Sequence, residues 1–172
     1  YGALYAAGVF DEKEYVNTKH PKTIGVICLE GEISDREGRY NDKVISRKGV
    51  EKIVQYIKKS AVKYDGYIIR INSPGGSAVA SEDICCELKN FLSDSKLPYV
   101  VSMGTYAASG GYWIASGLKT HIISTPYTIT GSIGVIGMLP CLTGLLDKIG
   151  VNNEKIESNQ NSAFGDACYN MT

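Results

Sequence analysis

Residues 64–92, YDGYIIRINSPGGSAVASEDICCELKNFL, constrain the fold more than any other stretch. The run YDGYIIRIN is apolar over the length of a strand and ends directly in SPGG; Ala80, Ile84, Leu88 and Leu92 then recur at the spacing of one helix face. A buried strand feeding straight into a helix is half of a crossover, and the next strand of such a unit returns parallel to the first. The same alternation appears on either side. TIGVICLEG reads as a buried strand ending at a glycine turn, and VEKIVQYIKK places Val50, Ile53, Val54 and Ile57 on one helical face with its lysines turned away. LPYVVSM is a third strand, residues 105–118 a turn and helix, KTHIIST a fourth strand, and TITGSIGVIG a fifth short apolar element. LTGLLDKIG has helical spacing and a glycine stop, and NEKIES reads as a candidate last strand. The pattern predicts an α/β fold, mainly a parallel sheet flanked by helices. In such sheets sites gather at the carboxyl ends of the strands.

Residues 1–22, ending in TKHPK, read as an N-terminal arm or linker, and residues 23–172 as one domain. The charged segment 34–47, SDREGRYNDKVISR, has no clean period and is expected to be a solvated surface loop. Composition then excludes several classes of function. With 172 residues and 44% hydrophobic content the chain can bury a core, and its eighteen basic residues balance eighteen acidic ones. No basic groove with interleaved aromatics is present, so a nucleic-acid partner is not expected. Five cysteines, Cys28, Cys85, Cys86, Cys141 and Cys168, show no CxxC pair or metal-ligand spacing and their odd number argues against a complete disulfide framework, while His20 and His121 are too few for a histidine metal cluster. No cofactor is implied. No apolar run is long enough to cross a bilayer, and the opening YGALYAAGVF lacks the features of a signal sequence. A longer parent could carry a membrane anchor elsewhere.

Two small-residue loops carry the chemistry. In SPGG, Pro74 fixes the backbone while Gly75 and Gly76 leave amides with no side chain above them, which is what a developing negative charge needs. Pro-Gly-Gly is also an ordinary turn, and the GKS or GKT of a phosphate loop is missing. TYAASGGYWIA, residues 105–115, surrounds Ser109 with alanine and glycine. A nucleophile that a carbonyl must approach closely needs such neighbours, and so does a serine capping a tightly packed helix. Both readings stay open for each loop taken alone.

Taken together, RINSPGGSAVASEDI, PYVVSMGTYAASGGYWIASG and TPYTITGSIGVIG closely resemble, in order and spacing, the signal peptide peptidase family of the SppA or protease IV type. These are serine peptidases with the crotonase-like fold shared with ClpP, and the resemblance runs from about Thr23 to Ser158. It implies that Ser109 is the nucleophile, that the amides of Gly76 and Gly110 form the oxyanion hole, and that Ser132 orients the general base. It implies a lysine as that base. Short members carry theirs in the region matched by SNQNSAFGD, which has no lysine here. In long tandem members the carboxy-terminal half bears the serine and the amino-terminal half the lysine, so this chain resembles the nucleophile-bearing half. Neither Lys148 nor Lys155 is assigned as base. The implied substrates are membrane-retained signal peptides, with Met103, Tyr106, Ile136 and Met138 as candidate lining of a groove. Assembly into a ring, and membrane association facing the extracytoplasmic side through segments outside this chain, are implied as well. An acyl-thioester enzyme of crotonase type and a noncatalytic subunit are the competing readings.

Overall fold

The computed structural model describes residues 2–5, 11–12, 22–38, 43–160 and 162–169. It divides into two compact units, Tyr1–Ile133 and Gly134–Thr172. The first holds a seven-stranded sheet. In chain order its strands are β1 (Gly2–Tyr5), β2 (Asp11–Glu12), β3 (Ile24–Glu30), β6 (Gly66–Ser73), β7 (Tyr99–Ala108), β8 (Ile122–Ile123) and β9 (Ile129–Gly131). A separate two-stranded ribbon is formed by β4 (Glu32–Ile33) and β5 (Val44–Ile45). The sheet order is β2-β1-β3-β6-β7-β8, with β9 also on β7, and every pairing is parallel except β1 with β2. The expected α/β architecture, mainly parallel and flanked by helices, is the one found.

Residues α1 (Arg47–Lys59), α2 (Ala78–Ser95) and α3 (Gly110–Gly117) supply the helices of this unit. Each of the four apolar positions expected on α1 and on α2 is buried. They meet the alternate residues of β6: Tyr67, Ile69, Ile71 and Ser73 are buried, while Arg70 between them is exposed. Period two on the strands and period 3.6 on the helices thus converge on one core, in which Ile27, Leu29, Ile69, Ile71, Ile84 and Leu88 are fully buried. Side chains cap both long helices at their starts, Ser46 accepting from Gly49 N–H and Ser77 from Ala80 N–H, each at 3.2 Å.

Four elements depart from the sequence expectation. Part of the segment read as an arm, Gly2–Tyr5, pairs with β3, while residues 6–10 and 13–21 lie outside the described residues. The charged segment 34–47 is not a solvated loop throughout: Val44 and Ile45 form β5, paired with β4, Ser46 caps α1 and Arg47 begins it, while residues 39–42 lie outside the described residues. β7 does not stop at Met103 but runs on through GTYAA to Ala108, because a bulge lets the strand continue where the apolar pattern breaks. NEKIES, residues 153–158, is not a strand: none of these residues is in a strand and Ile156 is 95% exposed. The second unit contains α4 (Thr143–Lys148), whose glycine stop, Gly150, sits at φ +72° as expected for a helix end.

Candidate active site

Strands β6 and β7 are parallel neighbours, and both loops singled out in the sequence leave from their carboxyl ends. Gly75 has φ +105° and Gly76 φ +149°. A Cβ on Gly75 would lie 2.6 Å from Ser109 Cβ and 2.8 Å from Gly110 N, and one on Gly76 would collide with the Ile33 carbonyl. No side chain fits at either position, and the glycine loop therefore packs directly against the Ser109 turn.

The ribbon strand β4 holds this loop from the other side. Ile33 N–H donates to Gly75 C=O and Ser77 N–H donates to Ile33 C=O, both at 2.9 Å. Gly75 C=O and Gly76 N–H belong to one trans peptide and point in opposite directions, so with the carbonyl turned to Ile33 the Gly76 N–H faces away from β4. Asp35 adds a further tie by accepting from the Ser77 hydroxyl at 3.0 Å.

Ser109 is the corner between β7 and α3, with φ 51° and ψ −120°. A non-glycine residue in such a conformation costs about 1–3 kcal/mol and persists only where its surroundings fix it. Its N–H donates to Gly131 C=O at 2.8 Å and its C=O accepts from Trp113 N–H at 2.9 Å. The hydroxyl, by contrast, does not cap α3. The helix-cap alternative is therefore not realised. A strand-to-helix corner of this kind presents a side-chain oxygen at its apex. Gly110 N–H, as the first amide of α3, lies beyond the reach of any intrahelical acceptor.

Ser132 comes beside Ser109 through the sheet. β9 pairs with β7 so that Ala108 lies opposite Gly131, and Ser109 N–H donates to the Gly131 carbonyl, so the backbones that lead into Ser109 and Ser132 are joined where the two strands end. Among the described residues four other than glycine have positive φ, and Ser109 and Ser132 are two of them. Sequence reasoning missed the layer beneath. Ser73 and Ser81 are fully buried: Ser73 Oγ accepts from Gly75 N–H at 3.1 Å, and Ser81 Oγ donates to Ser77 C=O at 2.7 Å. A Cβ on Gly110 would collide with Ser81 Oγ, and one on Gly111 would lie 2.9 Å from the Ser73 carbonyl oxygen. The one hint in the sequence was the position of Ser73 at the head of SPGG and of Ser81 one helical turn after Ser77.

The four candidate groove residues divide between the units. Met103 is 4% exposed and belongs to the core, its sulfur accepting from Thr130 Oγ1 at 3.8 Å, while Tyr106 is 44% exposed. Ile136 and Met138 stand almost fully exposed in the second unit. Of the lysines, Lys155 pairs with Glu157 at 2.6 Å and lies over the Tyr169 ring, and Lys148 ends α4. The charge of Cys85 and its hydrogen bond push Lys89 upward, away from what a base at neutral pH requires. Among the described residues no group of His, Cys, Asp or Glu could hold a metal ion.

Comparison with known proteins follows the same residues. The profile of peptidase family S49 matches residues 91–172, a span that includes Ser109, Gly110 and Ser132. Protease 4 of Haemophilus influenzae is 39% identical over 160 residues, 91% of this chain and 24% of its own length. The chain belongs to the SppA/protease IV family. A chloroplastic serine protease SPPA of Arabidopsis thaliana is 40% identical over 136 residues, covering 77% of this chain and 19% of that protein. Among solved structures, a mutant of a membrane-bound stomatin-specific protease in complex with a substrate peptide aligns at 23% identity with a TM-score of 0.49, over 70% of this chain and 48% of that one. The chain thus spans about a quarter or less of the length of these two SppA/protease IV relatives.

Proposed function

We propose that this chain is the nucleophile-bearing part of a serine–lysine endopeptidase. The observation that carries the reading is Ser109, held at a strained corner with both backbone groups bonded and its hydroxyl uncommitted to the helix, with the glycine loop packed against it. Family membership favours a peptidase over an acyl-thioester enzyme or a scaffold.

In this reading Ser109 Oγ attacks the scissile carbonyl while its proton passes to a lysine amine, which needs a lowered pKa to accept it. The carbonyl oxygen becomes the oxyanion, and the Gly76 and Gly110 amides donate to it. Collapse breaks the peptide C–N bond, the lysine returns its proton to the leaving amine, and water then hydrolyses the Ser109 ester. Ser132 orients the lysine, which comes from another domain or protomer. Tyr106, half-exposed three residues before the nucleophile, contacts the substrate chain.

The substrates assigned are signal peptides left in the membrane, in keeping with the relative from Enterococcus faecium named as a signal peptide peptidase. No helix among the described residues is long and apolar enough to cross a membrane, so the association with the bilayer is assigned to other parts of the assembly, on its extracytoplasmic side. The test is a fluorophosphonate probe on the full-length assembled protein, followed by peptide mapping. The probe is expected on Ser109 and lost in Ser109→Ala. A verified native assembly that takes up none would refute the peptidase reading.

A further inference from the structure

Strand β7 does not run straight to its serine. Met103 lies opposite Ile71 and Ala107 opposite Ser73, so the single residue Asn72 of β6 faces Gly104, Thr105 and Tyr106 of β7. Extra residues in one strand interrupt the ladder, bend the strand and re-aim whatever follows. The bend is also where β7 exchanges partners: Val101 and Ser102 pair with β8, whereas Tyr106, Ala107 and Ala108 pair with β9.

Side chains replace the missing ladder bonds. Asn72 Oδ1 accepts from Tyr106 N–H at 3.0 Å, and Thr128 Oγ1 donates to Gly104 C=O at 2.9 Å. Asn72 is itself fixed from two directions. Its carbonyl accepts from Gly31 N–H at 3.0 Å, and it fills the space over Gly104, where a Cβ would lie 2.7 Å from Asn72 Oδ1. A larger residue at 104 would expel the amide, and a smaller one at 72 would leave the bulge unfilled.

We propose that Asn72 is a positioning residue for Ser109. Its side-chain oxygen sets the shape of the bulge, and the bulge sets where the last turnward residues of β7 deliver the nucleophile and the Tyr106 side chain. The inference rests on the reading of Ser109 as nucleophile. From Tyr106 to Ser109 the chain is held on one side by β9, through the Gly131 carbonyl, and on the other by Asn72 and the resumed pairing at Ser73. Without the oxygen of Asn72, the Tyr106 N–H turns to solvent and the corner loses its fixed distance from the glycine loop.

The test uses full-length protein carrying Asn72→Ala or Asn72→Asp, the latter keeping an oxygen in the same place. Two rates are read on each: hydrogen exchange at the Tyr106 amide, and fluorophosphonate acylation of Ser109. In Asn72→Ala the Tyr106 amide is expected to exchange faster while α2 keeps its protection, and acylation to fall about tenfold or more, with Asn72→Asp within about threefold of the parent. Faster exchange with unchanged acylation would overturn the proposal by making Asn72 merely structural. So would unchanged exchange, or equal loss in both variants. A parent protein that takes no label sinks the peptidase reading and the role of Asn72 in it, and the exchange result alone still shows whether the side-chain bond exists.

Discussion

Gly75→Ala is the sharpest perturbation the site offers. The new methyl carbon would start 2.6 Å from Ser109 Cβ and 2.9 Å from the Ala108 carbonyl oxygen, on a backbone with φ +105°. Ordinary contact begins at 3.4 Å, so loop and corner must separate by about 0.8 Å, or the glycine loop must abandon its conformation. Neither is free. The corner is tied to Gly131 and Trp113, and the loop to Ile33 by two bonds of 2.9 Å. A displacement near 1 Å at reacting atoms costs on the order of a hundredfold in rate, about 2.7 kcal/mol of transition-state stabilisation. Acylation of Ser109 by fluorophosphonate in full-length Gly75→Ala is therefore expected to slow about a hundredfold. Gly144→Ala is the control: nothing lies within 4 Å of its Cβ position, and alanine in α4 favours the helix by roughly 1 kcal/mol. Acylation of Gly75→Ala at the parental rate, with the protein folded, would show that the packing of loop on corner does not govern the nucleophile.

Three further outcomes are expected. Trp113 is the only tryptophan, and its Nε1–H donates to Glu82 at 2.6 Å, a bond that holds the Glu82 carboxyl below its ordinary range. A lowered carboxyl pKa means the bond is complete above the ordinary range and lost as pH falls through the lowered value; Trp113 fluorescence should change there in an otherwise folded protein, and Glu82→Gln should abolish the step. Thiol alkylation near neutral pH should reach Cys141, lowered by its hydrogen bond with Thr143, before Cys86, raised by Glu82; equal rates at these two exposed thiols would contradict the assignment. Ser77→Ala removes the cap of α2 and the tie to Asp35, and hydrogen exchange in the first turn of α2 should quicken about fivefold, the equivalent of about 1 kcal/mol; an unchanged rate would refute the capping role.

The parts legible in the sequence are those fixed by local period. Val50, Ile53, Val54 and Ile57 announce the buried face of α1 because a helix repeats within the window one can scan, and β6 is long and apolar enough to admit no rival. What failed depends on contacts distant in the chain. GTYAA looks like a turn because it breaks the apolar run with a glycine and polar residues, yet it is strand, kept there by Asn72 and Thr128 from elsewhere in the sequence. The charged segment hides β5, and the two residues of β4 just before it would mean nothing without the glycine loop that Ile33 grips. At the site, the two small-residue loops were visible, and so was Ser109 within the second of them. Ser73, Ser81 and Ile33 were not, since supporting a corner from below leaves no periodic trace.

The pairing of β9 with β7 covers only three residue pairs, yet it alone decides which residue stands next to Ser109. The connection from α3 to β9 therefore acts as a ruler. Adding or removing one residue within 118–128 would bring Gly131 or Ile133 to the place of Ser132 and turn alternate side chains to the opposite face. Substitutions at exposed positions of the connection leave that register in place, whereas a change of length would shift it. Diversity among chains built this way should accordingly appear in that connection as changes of side chain at constant length.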